Sequence, residues 1–394
     1  MLIGLVGKPS VGKSTFFKAA TLAEVEIASY PFTTIKANHG VGYVKVKCVE
    51  EFFKTKCNPS HGFCINSNRF VPIDLMDVAG LVPGASEGKG LGNQFLDDLR
   101  QADAFIHIVD ISGTTNIEGK PTENHDPCLD IEFLEKELDS WYFNIFKKVW
   151  KTFSRKTELE HRKFSEAVAN QFSGLKVNEN QVKDVLLKLN LPEKQSTWTE
   201  DQIKKFVSEL RKKSKPMIIA ANKIDFPTSE ENLKKVNQKF PELKIIPCSA
   251  DSELALREAT KAGLIDYIPG EKDFQIKGAL NEKQKSALEK IKKNVLDKFE
   301  FGTGVQKTLN HAVFEVLKFV HIFPASANRL ADSKGNILPD CFLLPPNSTA
   351  LDFAYFLHTD FGKGFIKAID AKTKRVLGKD YLLKPGDALE ICSK

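Results

Sequence analysis

The stretch GKPSVGKSTF, residues 7–16, follows directly on the apolar run LIGLV at residues 2–6. A strand, the spacing G-x-x-x-x-G-K-S and a segment able to continue as a helix form the pattern of a P-loop. Its two glycines let the backbone turn successive N–H groups towards an anion. The lysine brings positive charge to phosphate oxygens, and the serine hydroxyl is a suitable ligand for Mg²⁺. We therefore expect these residues to bind the phosphates of a nucleotide: Gly7, Lys8, Pro9, Ser10, Val11, Gly12, Lys13, Ser14 and Thr15.

The composition is that of an ordinary globular protein. The chain has 394 residues, of which 42% are hydrophobic and 27% charged, enough for two or three domains. Its net charge of +6 permits contact with a polyanion without requiring it. No apolar run approaches the roughly 20 residues of a membrane helix, and the first apolar stretch is too short for a signal peptide. The seven scattered cysteines are typical of reduced thiols, and we expect a cytoplasmic, monomeric protein without membrane contact.

The periodicity of the chain predicts three regions. Residues 1–120 and 216–320 alternate short apolar strands with helices, which indicates an α/β domain with a mostly parallel sheet. Residues 121–215 form a helical insert, in which apolar residues recur at helical spacing between Ile131 and Val149. Its stretch 141–215 carries 17 Lys and Arg against 9 Asp and Glu, so a nucleic-acid contact is one interpretation and a solvated helical face is the other. Residues 321–394 read as a small α+β module with one helix after an Asn347-Ser348-Thr349 cap.

Two further segments complete the phosphate site. Asp77 ends an apolar strand in the pattern D-x-x-G, from which a carboxylate holds Mg²⁺, commonly through water, and the N–H of Gly80 meets a γ-phosphate. In the segment YPFTTIKAN at residues 30–38 a threonine hydroxyl can reach Mg²⁺ only when the γ-phosphate is present, which is the behaviour of a switch. Its position relative to the following strand favours Thr34 over Thr33. The predicted magnesium ligands are thus Ser14, Thr34 and Asp77, and the predicted catalytic groups are Lys13, Thr34 and Gly80.

The choice of base depends on the sequence NKID at residues 222–225. Asp225 can accept two hydrogen bonds from N1 and N2 of guanine, which adenine does not offer. We expect Asn222 to tie this loop to the P-loop and Lys223 to cover one face of the base. Ser249 and Ala250 follow the next strand, and the Ala250 N–H is predicted to meet guanine O6. The sequence therefore favours GTP and GDP over adenine nucleotides.

Leu81 stands directly after Gly80, where Ras-type enzymes have the glutamine that orients the attacking water. We therefore expect slow intrinsic hydrolysis, with the missing group supplied by an ion, another loop or a partner. Two other functions stay open: a metabolic ATPase or kinase, for which no second set of catalytic residues is evident, and a nucleotide-stabilised RNA-binding scaffold with negligible turnover.

The segment DVAGLVPGASEGKGLGNQFLDDLRQAD, residues 77–103, together with YPFTTI, resembles the Obg superfamily of translation-related GTPases. Within it the chain is most similar to the archaeal-type YchF branch, the Obg-like ATPases, with the DRG proteins as nearest relatives. The stretch at residues 348–391 resembles a TGS domain, a β-grasp fold, which implies contact with RNA or the ribosome. Many YchF proteins have an altered base motif and prefer ATP, whereas this chain keeps NKID. Potassium-activated relatives commonly carry Asn where this chain has Ser10, which argues against potassium dependence.

A possible zinc site lies between the second and third predicted strands. Cys48, Cys57 and Cys64 with His61 offer three thiolates and an imidazole. The spacing C-x8-C-x3-H-x2-C is not that of a standard zinc finger, and an extended loop with free thiols is the favoured interpretation.

Overall fold

The computed structural model describes residues 1–21, 39–78, 80, 99–326, 330–332 and 335–394. The chain divides into two compact units. The first unit comprises Met1–Ala19 and Asp74–Thr308, and the second comprises Ala20–Ile73 and Leu309–Lys394. This division differs from the sequence-based domain boundaries, because residues 20–73 belong with the C-terminal module.

The centre of the first unit is a parallel sheet with the strand order β4-β1-β5-β6-β7. Its strands are β1 (Leu2–Val6), the end of β4 (Asn68–Asp77), β5 (Ala104–Asp110), β6 (Met217–Asn222) and β7 (Ile245–Pro247). Every residue of β5 is buried, as expected for a parallel strand covered on both faces. Because parallel strands end at the same edge, the residues that follow β1, β4 and β6 meet there, which is where the motifs were predicted.

Helices cover this sheet, and caps fix where several begin. α1 (Lys13–Thr21) starts inside the P-loop. Asp126 caps the long insert helix by accepting from the Cys128 N–H, and Thr199 caps a later one in a capping box with Gln202. The insert helices are α3 (Pro127–Leu159), α4 (Phe164–Gln171), α5 (Glu179–Leu189) and α6 (Glu200–Ser214). Further α-helices and strands of this unit are α7 (Ser229–Lys239), α8 (Ala250–Lys261), β8 (Ile265–Tyr267), β9 (Phe274–Ile276), α9 (Glu282–Ile291) and α10 (Val305–Asn310), whose last two residues belong to the second unit.

The helical insert shares its core with the sheet. Phe146, Trp150 and Phe206 of the insert belong to the same buried cluster as Val6 and Phe105 of the strands. The insert was predicted as a region of its own at residues 121–215; the structure confirms its helices and shows that one apolar core joins them to the sheet.

The second unit contains β2 (His39–Lys47), α2 (Glu50–Phe53), β3 (Phe63–Ile65) and the beginning of β4. Its C-terminal part is a mixed five-stranded sheet with the order β11-β10-β14-β12-β13. These elements are β10 (Val320–Pro324), β11 (Phe342–Leu344), α11 (Ala350–Leu357), α12 (Thr359–Lys363), β12 (Phe365–Asp370), β13 (Val376–Leu377) and β14 (Asp387–Ser393). Of the predicted cap residues Asn347, Ser348 and Thr349, it is Thr349 that caps α11, and Phe353 packs into a core with Ile322 and Leu389.

Within the described part of the chain, none of the helices is both long enough and apolar enough to span a membrane.

Candidate nucleotide site

One pocket of about 430 Å³ brings the separated motifs together at the carboxyl edge of the parallel sheet. Its volume suits a ligand of nucleotide size. The lining residues come from the P-loop, from the NKID loop and from the loop after β7: Ser10, Gly12, Thr15, Asn222, Lys223, Asp225, Phe226, Ser249 and Asp251. Residues more than 200 positions apart in the chain therefore face one cavity.

The conformation of the P-loop requires its glycines. Gly7 has a φ of +151°, and a Cβ at this position would lie 2.5 Å from the Ile108 carbonyl oxygen. Gly12 has a φ of +94°, and a Cβ there would lie 2.3 Å from Nδ2 of Asn222. Any side chain at position 12 would thus push apart the P-loop and the NKID loop.

Two lysines of the loop have different environments. Nζ of Lys13 donates to the Lys8 carbonyl oxygen at 2.8 Å, and burial lowers the pKa of Lys13 to about 8. Nζ of Lys8 donates to the Thr115 carbonyl oxygen at 2.6 Å and lies 2.8 Å from a carboxylate oxygen of Asp130. Lys8 was predicted to bind the nucleotide; its side chain is held inside the protein, so only its backbone belongs to the anion-binding loop.

The predicted magnesium ligands Ser14 and Asp77 are adjacent. Oγ of Ser14 donates to Oδ2 of Asp77 at 2.9 Å. The second oxygen, Oδ1, is buried and accepts no hydrogen bond from the residues that the structure describes. Hard oxygen ligands of this kind fit Mg²⁺. Gly80 lies against the P-loop, since a Cβ there would be 3.0 Å from the Pro9 nitrogen, whereas Thr34 and Leu81 lie outside the described residues.

Asn222 joins the two halves of the site. Its Nδ2 donates to the Val11 carbonyl oxygen at 2.8 Å, and its Oδ1 accepts from the Ala250 N–H at 2.9 Å. The Ala250 N–H was predicted to meet guanine O6, and in the structure it is occupied by Asn222. The reason is that α8 begins at Ala250, where the first amide of a helix needs an acceptor outside the helix.

The base-side carboxylate is oriented by its neighbour, since Oγ of Ser249 donates to Oδ1 of Asp225 at 2.8 Å. Sequence reasoning missed Asp110, which ends β5 and is fully buried. It accepts from Nζ of Lys223 at 2.8 Å and from Oγ1 of Thr115 at 2.7 Å. Burial raises the pKa of Asp110, but hydrogen bonds from Lys223, Ser112 and Thr115 bring it below its ordinary value. The signal in the sequence was its place at the end of an apolar strand, as for Asp77.

Three family models match the chain. They are 50S ribosome-binding GTPase over residues 2–141, Obg-like GTPase YGR210-like, G4 motif-containing domain, over residues 220–326, and TGS domain over residues 334–393. A GTP-binding protein of Methanocaldococcus jannaschii is 46% identical over 100% of this chain and 99% of its own. This chain belongs to the Obg-like GTPase family. The resemblance noted in the sequence is therefore confirmed, and so are the P-loop GTPase fold and the C-terminal TGS domain.

Two further comparisons agree with this placement. The crystal structure of a GTP-binding protein from Pyrococcus horikoshii OT3 matches with a TM-score of 0.80 at 41% identity, covering 100% of both chains. The ribosome-binding ATPase YchF of Bacillus subtilis is 27% identical over 98% of this chain and 97% of its own. As a member of this family, the protein is a nucleotide-binding P-loop GTPase.

Proposed function

We propose that this Obg-like GTPase is a molecular switch whose guanine nucleotide state controls its binding to the ribosome or to RNA. The observation that carries the proposal is the single pocket lined by both the P-loop and Asp225. A carboxylate at the base end of the pocket can accept hydrogen bonds from N1 and N2 of guanine. Adenine has no matching donors on that edge, so the carboxylate would be left unpaired. We expect the protein to act in the cytoplasm as a monomer.

In this proposal Ser14, Asp77 and Thr34 would hold Mg²⁺, which would neutralise negative charge on the phosphates. The Lys13 ammonium and the Gly80 N–H stabilise the charge that develops on the γ-phosphate during transfer to water. Asn222 keeps the phosphate and base halves at a fixed separation, and Lys223 is oriented by its contact with Asp110. With leucine at position 81, the switch is a slow enzyme that a partner accelerates.

The proposed partner follows from the TGS domain and from the name of the Bacillus relative, a ribosome-binding ATPase. On α3, a surface that we call the basic face comprises Lys148, Lys151 and Arg155, which are exposed and spaced for one side of the helix. Many other lysines of the insert are in ion pairs, among them Lys183 with Glu179 and Lys188 with Glu209. The basic face is therefore the part of the insert best suited to phosphate groups.

Single-turnover hydrolysis tests the switch. Phosphate release from GTP and from ATP is measured with and without ribosomes from a related organism. We expect slow release from GTP that ribosomes accelerate, and a lower rate with ATP. Faster hydrolysis of ATP would favour an ATPase like the YchF relatives, and no release under any condition would favour a scaffold; either result would contradict the proposal.

Sedimentation with ribosomes tests the partner. A variant with Lys148, Lys151 and Arg155 replaced by Gln should bind ribosomes more weakly, and its slope of log affinity against log salt should fall by about 0.7–0.9 for each phosphate that the variant no longer neutralises. The matched control replaces Lys183, Lys188 and Lys204, which are ion-paired, by Gln. An equal decrease in affinity for both variants would show a general charge effect and would refute the basic face as the binding surface.

A further inference from the structure

The second unit contains a compact group of metal-binding side chains away from the nucleotide pocket. Cys48, Glu50, Cys57 and Cys64, which we call the thiol cluster, each offer one ligand atom, and these four atoms all lie within 4.8 Å of one another. Cys48 and Cys57 are buried and no disulfide links them. Three soft sulfur ligands with one carboxylate favour zinc over magnesium or calcium.

The distances within the cluster agree with one tetrahedral ion. Zn–S bonds of about 2.3 Å and a Zn–O bond of about 2.1 Å place two sulfurs about 3.8 Å apart and a sulfur and an oxygen about 3.6 Å apart. The Cys48 and Cys57 sulfurs are 3.8 Å apart, and Sγ of Cys64 is 3.6 Å from Oε1 of Glu50. All four ligand atoms lie within 4.8 Å of one another, so small side-chain shifts would bring them to the roughly 3.8 Å separations of a site for a single tetrahedral ion.

The surroundings hold the carboxylate in place. The Cys57 N–H donates to Oε2 of Glu50 at 2.8 Å, which leaves Oε1 directed at Cys64. Hydrogen bonds that orient a metal ligand from outside are a regular feature of metal sites. The predicted fourth ligand, His61, is elsewhere: its Nδ1 lies 2.8 Å from Oδ1 of Asp340. The structure therefore groups Glu50, and not His61, with the three cysteines.

A buried cation beside the cluster provides independent support. Arg69 is fully buried, pairs with Cys64 across the β3–β4 ladder and interacts electrostatically with the sulfurs of Cys48 and Cys57. Its Nη2 donates to the Leu338 carbonyl oxygen at 2.6 Å, while Nε and Nη1 have no hydrogen-bond partner among the described residues. A buried guanidinium needs negative charge nearby. Three thiolates, one carboxylate and Zn²⁺ carry a net charge of about −2, whereas three neutral thiols with the same carboxylate carry only about −1.

We propose that the thiol cluster binds one structural Zn²⁺ ion through Cys48, Glu50, Cys57 and Cys64. The ion fastens the end of β2, the loop after α2 and strand β3 to one another. The same loop contacts the segment before β11, because the Asn58 and Ser60 N–H groups donate to the Ile337 and Pro339 carbonyl oxygens, both at 2.8 Å. Zinc thus stabilises the part of the second unit on which the TGS domain begins.

Metal content is the first test. The full-length, untagged chain is purified without chelators, and zinc is measured by inductively coupled plasma mass spectrometry. We expect about one zinc ion per chain in the wild type and below about a tenth in Cys57→Ser and Cys64→Ser. Two matched controls, Cys341→Ser and His61→Asn, should keep the zinc, whereas Glu50→Gln should lose it at least about tenfold more readily to a chelator. Wild-type protein without zinc, or unchanged zinc in the serine variants, would overturn the proposal.

Cobalt substitution tests the ligands without any variant. Wild-type protein stripped of metal and loaded with Co²⁺ should show the intense visible bands of a tetrahedral site and a thiolate-to-cobalt charge-transfer band. The weak spectrum of octahedral Co²⁺, or a Cys48–Cys57 disulfide in the protein as purified, would contradict the assignment.

Limited trypsin digestion tests the structural role. Lys54 and Lys56 are exposed in the loop that the metal would fasten. Chelation should speed cleavage there at least about tenfold, because local opening becomes easier. Binding of GDP, which needs the P-loop and Asp225 of the first unit, should persist. Equal cleavage with and without chelator would refute a structural ion.

Discussion

Replacing Asn222 by Ala tests how the site is joined. Asn222, Val11 and Ala250 are almost fully buried, so water cannot take the place of the missing amide. The substitution leaves the Val11 carbonyl oxygen and the Ala250 N–H without partners. Each buried unpaired group costs about 1–3 kcal/mol, so the destabilisation should total about 2–6 kcal/mol.

This cost divides between folding and binding. If the P-loop and the NKID loop separate in the nucleotide-free variant, part of the binding free energy is used to bring them together, so the affinity for nucleotide falls. If the two loops stay together, the unpaired groups instead lower the free energy of unfolding. We therefore expect the sum of the two losses to be at least about 2 kcal/mol, which equals about 30-fold in Kd if binding carries all of it. Titration calorimetry with GTP gives the first quantity. Urea unfolding followed by tryptophan fluorescence gives the second, because Trp141, Trp150 and Trp198, the three tryptophans of the chain, all lie in the core of the first unit.

The matched control is Asn232→Ala. Nδ2 of Asn232 donates to the Ile111 carbonyl oxygen at 2.9 Å, but the residue is half-buried and does not line the pocket. It should cost about 0.5–1.5 kcal/mol of unfolding free energy and leave affinity unchanged. A summed loss below about 1 kcal/mol for Asn222→Ala, or an equal effect of the control on affinity, would refute the reasoning.

Two more predictions concern charges in the P-loop. Because burial lowers the pKa of Lys13 to about 8, raising the pH from 7 to 8.5 removes the positive charge that phosphate needs, and Kd for GTP should rise about fourfold. Calorimetry at each pH checks this; a constant Kd, or the same slope in Lys13→Met, would contradict it. Asp130→Asn leaves the buried Lys8 ammonium without its carboxylate and should lower the unfolding free energy by about 3–5 kcal/mol. In the same fluorescence assay Glu132→Gln, which breaks the exposed pair with Lys239, should cost less than about 1 kcal/mol, and similar losses would argue against a special role for the buried pair.

The parts of the site that sequence alone predicted are local. The P-loop places its glycines, Lys13 and Ser14 within eight consecutive positions, and strand periodicity places NKID at the end of a buried strand. The contact between Lys223 and Asp110 spans 113 positions and depends on β5 and β6 being neighbours, which no local pattern reveals. The proposed zinc ligands show the same limit. The three cysteines were evident, but only the fold shows that Glu50 points inward while His61 pairs with Asp340.

The proposed preference for guanine depends on the carboxylate of Asp225. The most direct test of this role compares the binding of GTP, ATP and xanthosine triphosphate. Xanthine carries an oxygen where guanine has its 2-amino donor, so it suits an amide at position 225 better than a carboxylate. We measure the affinity of the wild type and of Asp225→Asn for all three nucleotides. The wild type should prefer GTP, and Asp225→Asn should lose at least about tenfold in GTP affinity while gaining affinity for xanthosine triphosphate. Unchanged guanine preference in the variant, or tighter ATP binding by the wild type, would contradict the role given to Asp225.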